Sequence, residues 1–290
     1  MAKIEQDRDA QLFILDSMRF SFSSVSAYNT CPRMFRYTYL DEDKTRENNA
    51  FSDFGSFCHS LLEQYYKGEI ELFELSERYA DQYDANVTSA FPPSRNNAMA
   101  QNYYEAGKQY FDTFNDPWSG YKVLGVEERF TRNVGGHSFV GVIDLILQNP
   151  ETGDICIVDH KSKSKFKDHW ELAEYLRQLY LYSLYVYDTY GRYPKKLIFN
   201  MFRIGEIVES DFDEKGLEQA QWWFSDTIGT IYKDEKYPLK PKGKTKAGKP
   251  IDRDFFCDHI CSVRKYCSRS LSYAKRNRYF RKDKPDADQL

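Results

Sequence analysis

The chain has 290 residues, 41% of them apolar and 17% aromatic, which places it among globular proteins and excludes a disordered or low-complexity chain. No apolar run approaches the roughly 20 residues that cross a bilayer, and the opening MAKIEQDRD lacks the hydrophobic stretch of a secretory leader, so a soluble, cytoplasmic protein with no membrane partner is expected. The formal charge of -3 hides a segregation: Lys240 to Lys282 holds fourteen Lys or Arg against three Asp, a balance of +11, which leaves -14 for the remainder.

Residues Phe22 to Leu40 open with serines able to cap a helix and space their aromatics three and four apart, a helical pattern in which Pro32 marks either a break or the first turn of a second helix. Asp53 to Lys67 predicts another helix, with helical pattern continuing through Tyr79 and again from Arg95 to Phe114. The period then changes. Lys122 to Asn133 is rich in Val, Phe and Thr, Gly135-Gly136 supplies a turn, His137 to Gln148 reads as a second strand, Asn149 to Asp154 as a turn and Ile155 to Lys161 as a third strand. These three strands form an antiparallel meander. A helix over Asp168 to Tyr190, strands over Lys196 to Ile204 and Glu206 to Phe212, and a helix from Glu214 to Tyr232 complete the pattern. The expected class is α/β, a mixed central β-sheet flanked by helices. Residues 1–120 make a helical part carrying Cys31 and His59, 121–236 the core, and 237–290 a basic loop followed by a cysteine-rich tail.

The chemistry concentrates on two strands. Asp159 and Lys161 are two residues apart, so on a strand they project to one face while His160 points to the other. Asp144 closes the run Gly141-Val142-Ile143-Asp144 on the preceding strand, and antiparallel pairing brings the two aspartates together. Two carboxylates at one spot repel unless a cation lies between them. Oxygen ligands with few nitrogens favour Mg2+ or Mn2+, and such an ion acts on phosphodiesters. A lone Asp-x-Lys is more often a surface ion pair, so the motif needs context.

That context resembles a known family, the RecB-type branch of the PD-(D/E)XK nucleases, which includes the nuclease modules of RecB and AddB and the iron-sulfur nucleases of CRISPR adaptation. Its ordered motifs are matched here by Gly55-Ser56-Phe57-Cys58-His59, Gly141-Val142-Ile143-Asp144, Asp159-His160-Lys161 and Gln178-Leu179-Tyr180-Leu181-Tyr182, and the resemblance runs from about Tyr28 to Cys267. It implies a restriction-endonuclease-like core, metal binding by His59, Asp144, Asp159 and the backbone carbonyl of His160, and Lys161 as the catalytic lysine, with Gln178 and Tyr182 on one helix face contacting the lysine or DNA. Read from the residues alone, His59 beside Phe57, Leu61 and Leu62 also suits a hydrogen-bonded core histidine, and Gln178 and Tyr182 also suit simple packing. Glu63, Glu127 and Glu128 are further candidate ligands.

Six cysteines without an export signal are not expected to form disulfides. Cys257, Cys261 and Cys267 cluster in the tail, with Cys31 far upstream. The resemblance implies that these four hold a 4Fe-4S cluster. The family tail is Cys-x2-Cys-x5-Cys, whereas here three residues separate Cys257 from Cys261. Structural Zn2+, in a site that His259 of the tail could join, is the alternative. Cys58 and Cys156 read as packing thiols.

The function implied is a metal-dependent DNA exonuclease acting at single-stranded or resected ends in recombination or repair. The alternative is a catalytically silent iron-sulfur DNA-binding module of a recombination complex. The sequence has no Gly-x-x-x-x-Gly-Lys-Ser/Thr loop, so a helicase or recombination partner, or already open DNA ends, is expected to feed the site.

Overall fold

The computed structural model of the chain describes residues 2–41, 43–93, 98–243, 249 and 254–271. Helices α1 (Ala2–Ser17), α2 (Phe22–Thr30), α3 (Pro32–Tyr39), α4 (Ala50–Tyr66), α5 (Glu74–Asn86) and α6 (Met99–Asp112) precede strands β1 (Lys122–Val134), β2 (His137–Gln148) and β3 (Ile155–His160). Helix α7 (His169–Tyr190), strands β4 (Lys196–Met201) and β5 (Glu206–Asp211), and helix α8 (Glu214–Lys233) follow. Contacts divide the chain into two compact units, one of residues 18–25 and 50–230, the other of residues 1–17, 26–49 and 231–290. No helix among the described residues is long and apolar enough to cross a membrane.

Local chemistry explains most boundaries. Pro32 occupies the first turn of α3, where a missing N–H costs nothing, so it starts a helix rather than breaking one. Asp168 caps α7 by accepting from the Glu171 amide at 2.9 Å, and Gly191, at φ 70°, ends it. Gly135 and Gly136, at φ 56° and 87°, close the β1–β2 hairpin. The strand expected to reach Ile204 stops at Met201, because the amides of Ile204 and Gly205 both turn back to the Met201 carbonyl. Residues 95–97 of the helix expected from Arg95, residues 244–248 and 250 of the basic loop, and the tail beyond 271 lie outside the described residues.

The sheet of the larger unit has the order β1-β2-β3-β4-β5. All neighbours are antiparallel except β3 and β4, whose parallel pairing requires the α7 crossover. The expected α/β class, with helices flanking a mixed five-stranded sheet, is what the chain forms. One side of the sheet buries Leu145, Leu147, Cys156, Val158 and Ile198 with Trp118. On the other, Tyr175 of α7 meets Phe199 at 6.4 Å. Helix α4 packs Phe54, Phe57, Leu61 and Leu62 against Leu75, Tyr79 and Tyr83 of α5 and Phe111 of α6, which fixes the helix that carries His59.

Strand β1 is not regular. Residues 126, 128 and 130 of a plain strand would share one face. Instead Val126 joins the cluster around Trp118 and Leu145, whereas Glu128 accepts from the Tyr185 hydroxyl of α7 at 3.3 Å and Phe130 stacks on Tyr185 at 4.9 Å. The alternation reverses at Glu127, a non-glycine residue at φ 53°. Strand β2 reverses opposite it: Leu145 packs with Trp118, while Phe139 packs against Tyr182 of α7. The two-stranded ribbon changes sides where Glu127 faces Asp144.

In the smaller unit, α1 is a helix that the sequence pattern does not predict. It is mostly polar, and it is held by buried Leu15 and Gln11, by an Asp16 carboxylate that accepts from the Tyr232 hydroxyl at 3.0 Å, and by an Arg8 guanidinium that donates to the Tyr232 and Asp234 carbonyls. Tyr237, fully buried at φ 43°, stacks on Phe35 of α3 at 6.2 Å and meets Tyr28 edge-on.

Candidate active site

Register assembles the acids. In the β2–β3 ladder Leu145 pairs Val158, so the next position outward sets Asp144 opposite Asp159. In the β1–β2 ladder Glu127 falls between the pairs Val126–Leu145 and Glu128–Ile143, which sets it opposite Asp144. Three carboxylates therefore form one row across three strands, at the carboxyl end of β3, the usual place for a site in a sheet with a parallel crossover. His59 reaches the row from α4. Its Nδ1 stands 3.5 Å from Asp144 Oδ2, and ligand atoms of His59, Glu127 and Asp144 lie within 4.8 Å of one another.

The peptide of His160 locks this arrangement. Its N–H donates to Asp144 Oδ2 at 2.7 Å, and its carbonyl accepts from His59 Nε2 at 2.6 Å. A carbonyl only accepts, so Nε2 carries the proton and Nδ1 of a neutral His59 presents a bare lone pair toward the carboxylates. Burial holds His59 below its ordinary pKa, which keeps the ring neutral against the pull of Asp159. The imidazole of His160 lies on the other side of the sheet, stacked on Tyr66 with Nδ1 accepting from Asn200 Nδ2 at 3.0 Å; burial keeps it neutral too. The carbonyl expected to bind metal is thus engaged by His59 and retains its second lone pair.

Lys161 follows β3 and turns back over the row. Its Nζ stands 2.6 Å from Asp159 Oδ2 and donates to Gln178 Oε1 at 3.1 Å, while its amide donates to the Asn200 carbonyl. Burial lowers its proton affinity, but Asp159 and Asp144 more than offset this and the amine stays protonated. Gln178 in turn donates to the Tyr182 hydroxyl at 2.9 Å. Tyr182 lies so close to β2 that a Cβ at Gly141 would stand 2.8 Å from its ring and 2.6 Å from Phe130. The motif glycine makes room for the tyrosine that orients the glutamine that holds the lysine.

The donor set fits a hard divalent cation. Burial, then the neighbouring Asp159 charge, raises Asp144 well above the usual carboxylate range. Burial, then Glu63, raises Glu127. Asp159 Oδ2 is enclosed and carries the Lys161 amine at 2.6 Å. Carboxylates strained in this way, with a bare imidazole nitrogen among them, are relieved by a cation. All sequence-derived residues of this site, His59, Asp144, Asp159, the His160 backbone, Lys161, Gln178 and Tyr182, come together. Of the three further glutamates, Glu127 joins the set, Glu63 is paired with Lys67 at 2.5 Å, and Glu128 is bound by Tyr185.

The model of the PD-(D/E)XK nuclease superfamily matches residues 19–268. The chain belongs to that superfamily. No curated protein matches it. Among solved structures, a candidate exonuclease from Eubacterium rectale is similar at 14% identity and a TM-score of 0.46, over 76% of this chain and 84% of that one. In this member of the superfamily the row runs from Glu127 on β1 through Asp144 on β2 to Asp159 on β3, with Lys161 just beyond the end of β3.

A second cluster lies in the smaller unit. Cys31, Cys257, Cys261 and Cys267 line one pocket together with Arg33, Lys240 and Arg269. Cys31 is the N-cap of α3, just ahead of Pro32. The three residues between Cys257 and Cys261 lie in a π-helical turn, Phe256–Ile260, in which the Cys261 amide reaches back five residues to the Phe256 carbonyl at 2.8 Å. The wider turn keeps both sulfurs on one pocket. Burial pushes the Cys257 thiol up to about 11 and Cys261 to about 12. The tail thus brings together all four cysteines singled out in the sequence, while Cys58 and Cys156 are buried in the helical and sheet cores of the larger unit.

Proposed function

We propose that this protein is a divalent-metal-dependent deoxyribonuclease, an exonuclease working on single-stranded or resected DNA ends in recombination or repair. The observation that carries this reading is the convergence of Glu127, Asp144 and His59 on one point, with Asp159 and the Lys161 amine alongside. His59, Glu127, Asp144 and Asp159, with the free lone pair of the His160 carbonyl, would hold Mg2+ or Mn2+, which supplies Lewis acidity and positive charge at the scissile phosphate. Lys161, held protonated, hydrogen-bonds the attacking water and offsets the charge that develops on the phosphoryl oxygens. Gln178 and Tyr182 fix the direction of that amine. In the hydrolysis itself, water adds to phosphorus, the bond to the leaving sugar oxygen breaks and that oxygen takes up a proton. A helicase or recombination partner would present the ends.

Cys31, Cys257, Cys261 and Cys267 suit a 4Fe-4S cluster of structural role, with structural Zn2+ as the alternative. The Arg33 and Arg269 guanidiniums that flank this pocket donate to backbone carbonyls of the 236–240 segment and Lys240 pairs with Asp254 at 2.8 Å, so they fix its wall while the surface around the sulfurs is apolar. Deprotonation of these raised thiols would accompany loading.

End-labelled single- and double-stranded DNA incubated with Mn2+ tests the assignment. The wild type is expected to shorten the label progressively, and Asp159→Ala and Lys161→Ala to abolish this. Unchanged cleavage in both variants removes the assigned site. Binding without any cleavage by the wild type, in Mg2+ or Mn2+, leaves the silent iron-sulfur DNA-binding module instead.

A further inference from the structure

Between β3 and α7 the chain places four lysines in seven residues, Lys161, Lys163, Lys165 and Lys167, and ends them on His169 and Trp170. Trp170 leaves 70% of its surface to solvent, an unusual outlay for a large apolar ring that packs no core. Its indole is braced by the adjacent His169 ring, 4.6 Å away. Lys165 is exposed with no acidic partner among the described residues, and the Lys167 side chain is 80% exposed with Glu171 at 3.8 Å.

The segment is nevertheless held in place. Phe166 inserts against Tyr175 and Phe199, each at 5.3 Å. The sheltered Glu171 carboxylate takes the Lys163 amine at 3.0 Å on one oxygen and the Lys167 amide at 2.6 Å on the other. Lys163 also lies 5.2 Å over the Tyr175 ring, the ring that Lys161 approaches to 5.8 Å. One aromatic residue thus links this loop to the site amine. Trp170 stands eight residues before Gln178 on α7, about 12 Å along the helix axis.

Phosphates demand free cations and an unpaired base demands an accessible aromatic face, and a duplex offers no such base. We propose that Lys165, Lys167 and Trp170 form a landing platform for an unpaired DNA strand, the lysines on successive phosphates and a base stacked on the indole. The platform deepens the nuclease reading and rests on it for its role, but not for its test.

The probe is a fluorescein-labelled oligothymidylate and a blunt duplex of equal length, titrated in EDTA so that cleavage plays no part, with anisotropy as the readout. Trp170→Ala is expected to weaken oligothymidylate binding about tenfold, to change duplex binding by less than about twofold, and to melt as the wild type does. Trp170→Phe keeps a ring and should retain affinity within about threefold. The pair Lys165→Ala and Lys167→Ala is expected to flatten the log-log salt dependence on the single strand by about 1.4, at about 0.7 per phosphate released. Unchanged oligothymidylate affinity in Trp170→Ala, equal losses on single strand and duplex, or an unaltered salt slope would each overturn the platform. A wild type that binds as described but never cleaves in Mn2+ removes the nuclease reading and leaves the platform standing.

Discussion

Gly141→Ala tests whether packing behind the sheet sets the lysine. The added methyl would lie 2.6 Å from Phe130 Cε1 and Cζ and 2.8 Å from Tyr182 Cε1, against about 3.5–4.0 Å for a comfortable carbon contact. Both rings must retreat by roughly 0.7–1.4 Å if the backbone stays still. Neither has room: Phe130 is enclosed by Phe139, Tyr182 and Tyr185, and both rings are buried. Overpacking of this kind costs about 1–3 kcal/mol, a melting shift of about 2–10 °C for a domain of this size. Displacing Tyr182 also moves the acceptor of Gln178, and through it Lys161, where a shift of about 1 Å can cost about 100-fold in rate. Circular-dichroism melting and steady-state cleavage of a labelled oligonucleotide read the two effects separately. Adding Phe130→Leu should recover part of both by opening space. A Gly141→Ala protein with wild-type melting and wild-type rate would refute the chain of contacts from glycine to lysine.

Tyr182→Phe removes only the hydroxyl that receives Gln178, so kcat should fall about tenfold with KM nearly constant, the expected loss of a positioning hydrogen bond worth about 1–1.5 kcal/mol; a KM effect alone would contradict positioning. Glu127→Gln weakens one ligand of the candidate cation set, and the Mn2+ concentration for half-maximal cleavage should rise about tenfold or more, measured by metal titration. EDTA should abolish cleavage and excess Mn2+ restore it. Anaerobically purified protein should carry about four irons per chain, with visible absorption that Cys31→Ala bleaches. Elemental analysis returning one zinc and no iron would assign the pocket to Zn2+ instead.

The strands were legible because β-branched and aromatic runs alternate between glycine turns, and Asp159-x-Lys161 reads off a strand directly. The row of acids is only half legible. Alternation says that Glu127 and Glu128 point oppositely, but the reversal at Glu127 rests on a backbone conformation that no side-chain pattern encodes. Helix α1 escapes notice because contacts distant in sequence, such as those from Arg8 to residues 232 and 234, take the place of an apolar face. That Cys257 and Cys261 share one pocket is not legible from their spacing, since it rests on a π turn that spans five residues where an α turn spans four.

Residue 160 serves the site through its peptide rather than its ring. Its imidazole is lodged with Asn200 and Tyr66 and edge-on to the His59 ring at 5.6 Å, while its amide N–H and carbonyl hold Asp144 and His59. Exchanges at 160 or 200 that tilt this peptide would therefore shift Asp144 and His59 relative to one another without altering either side chain.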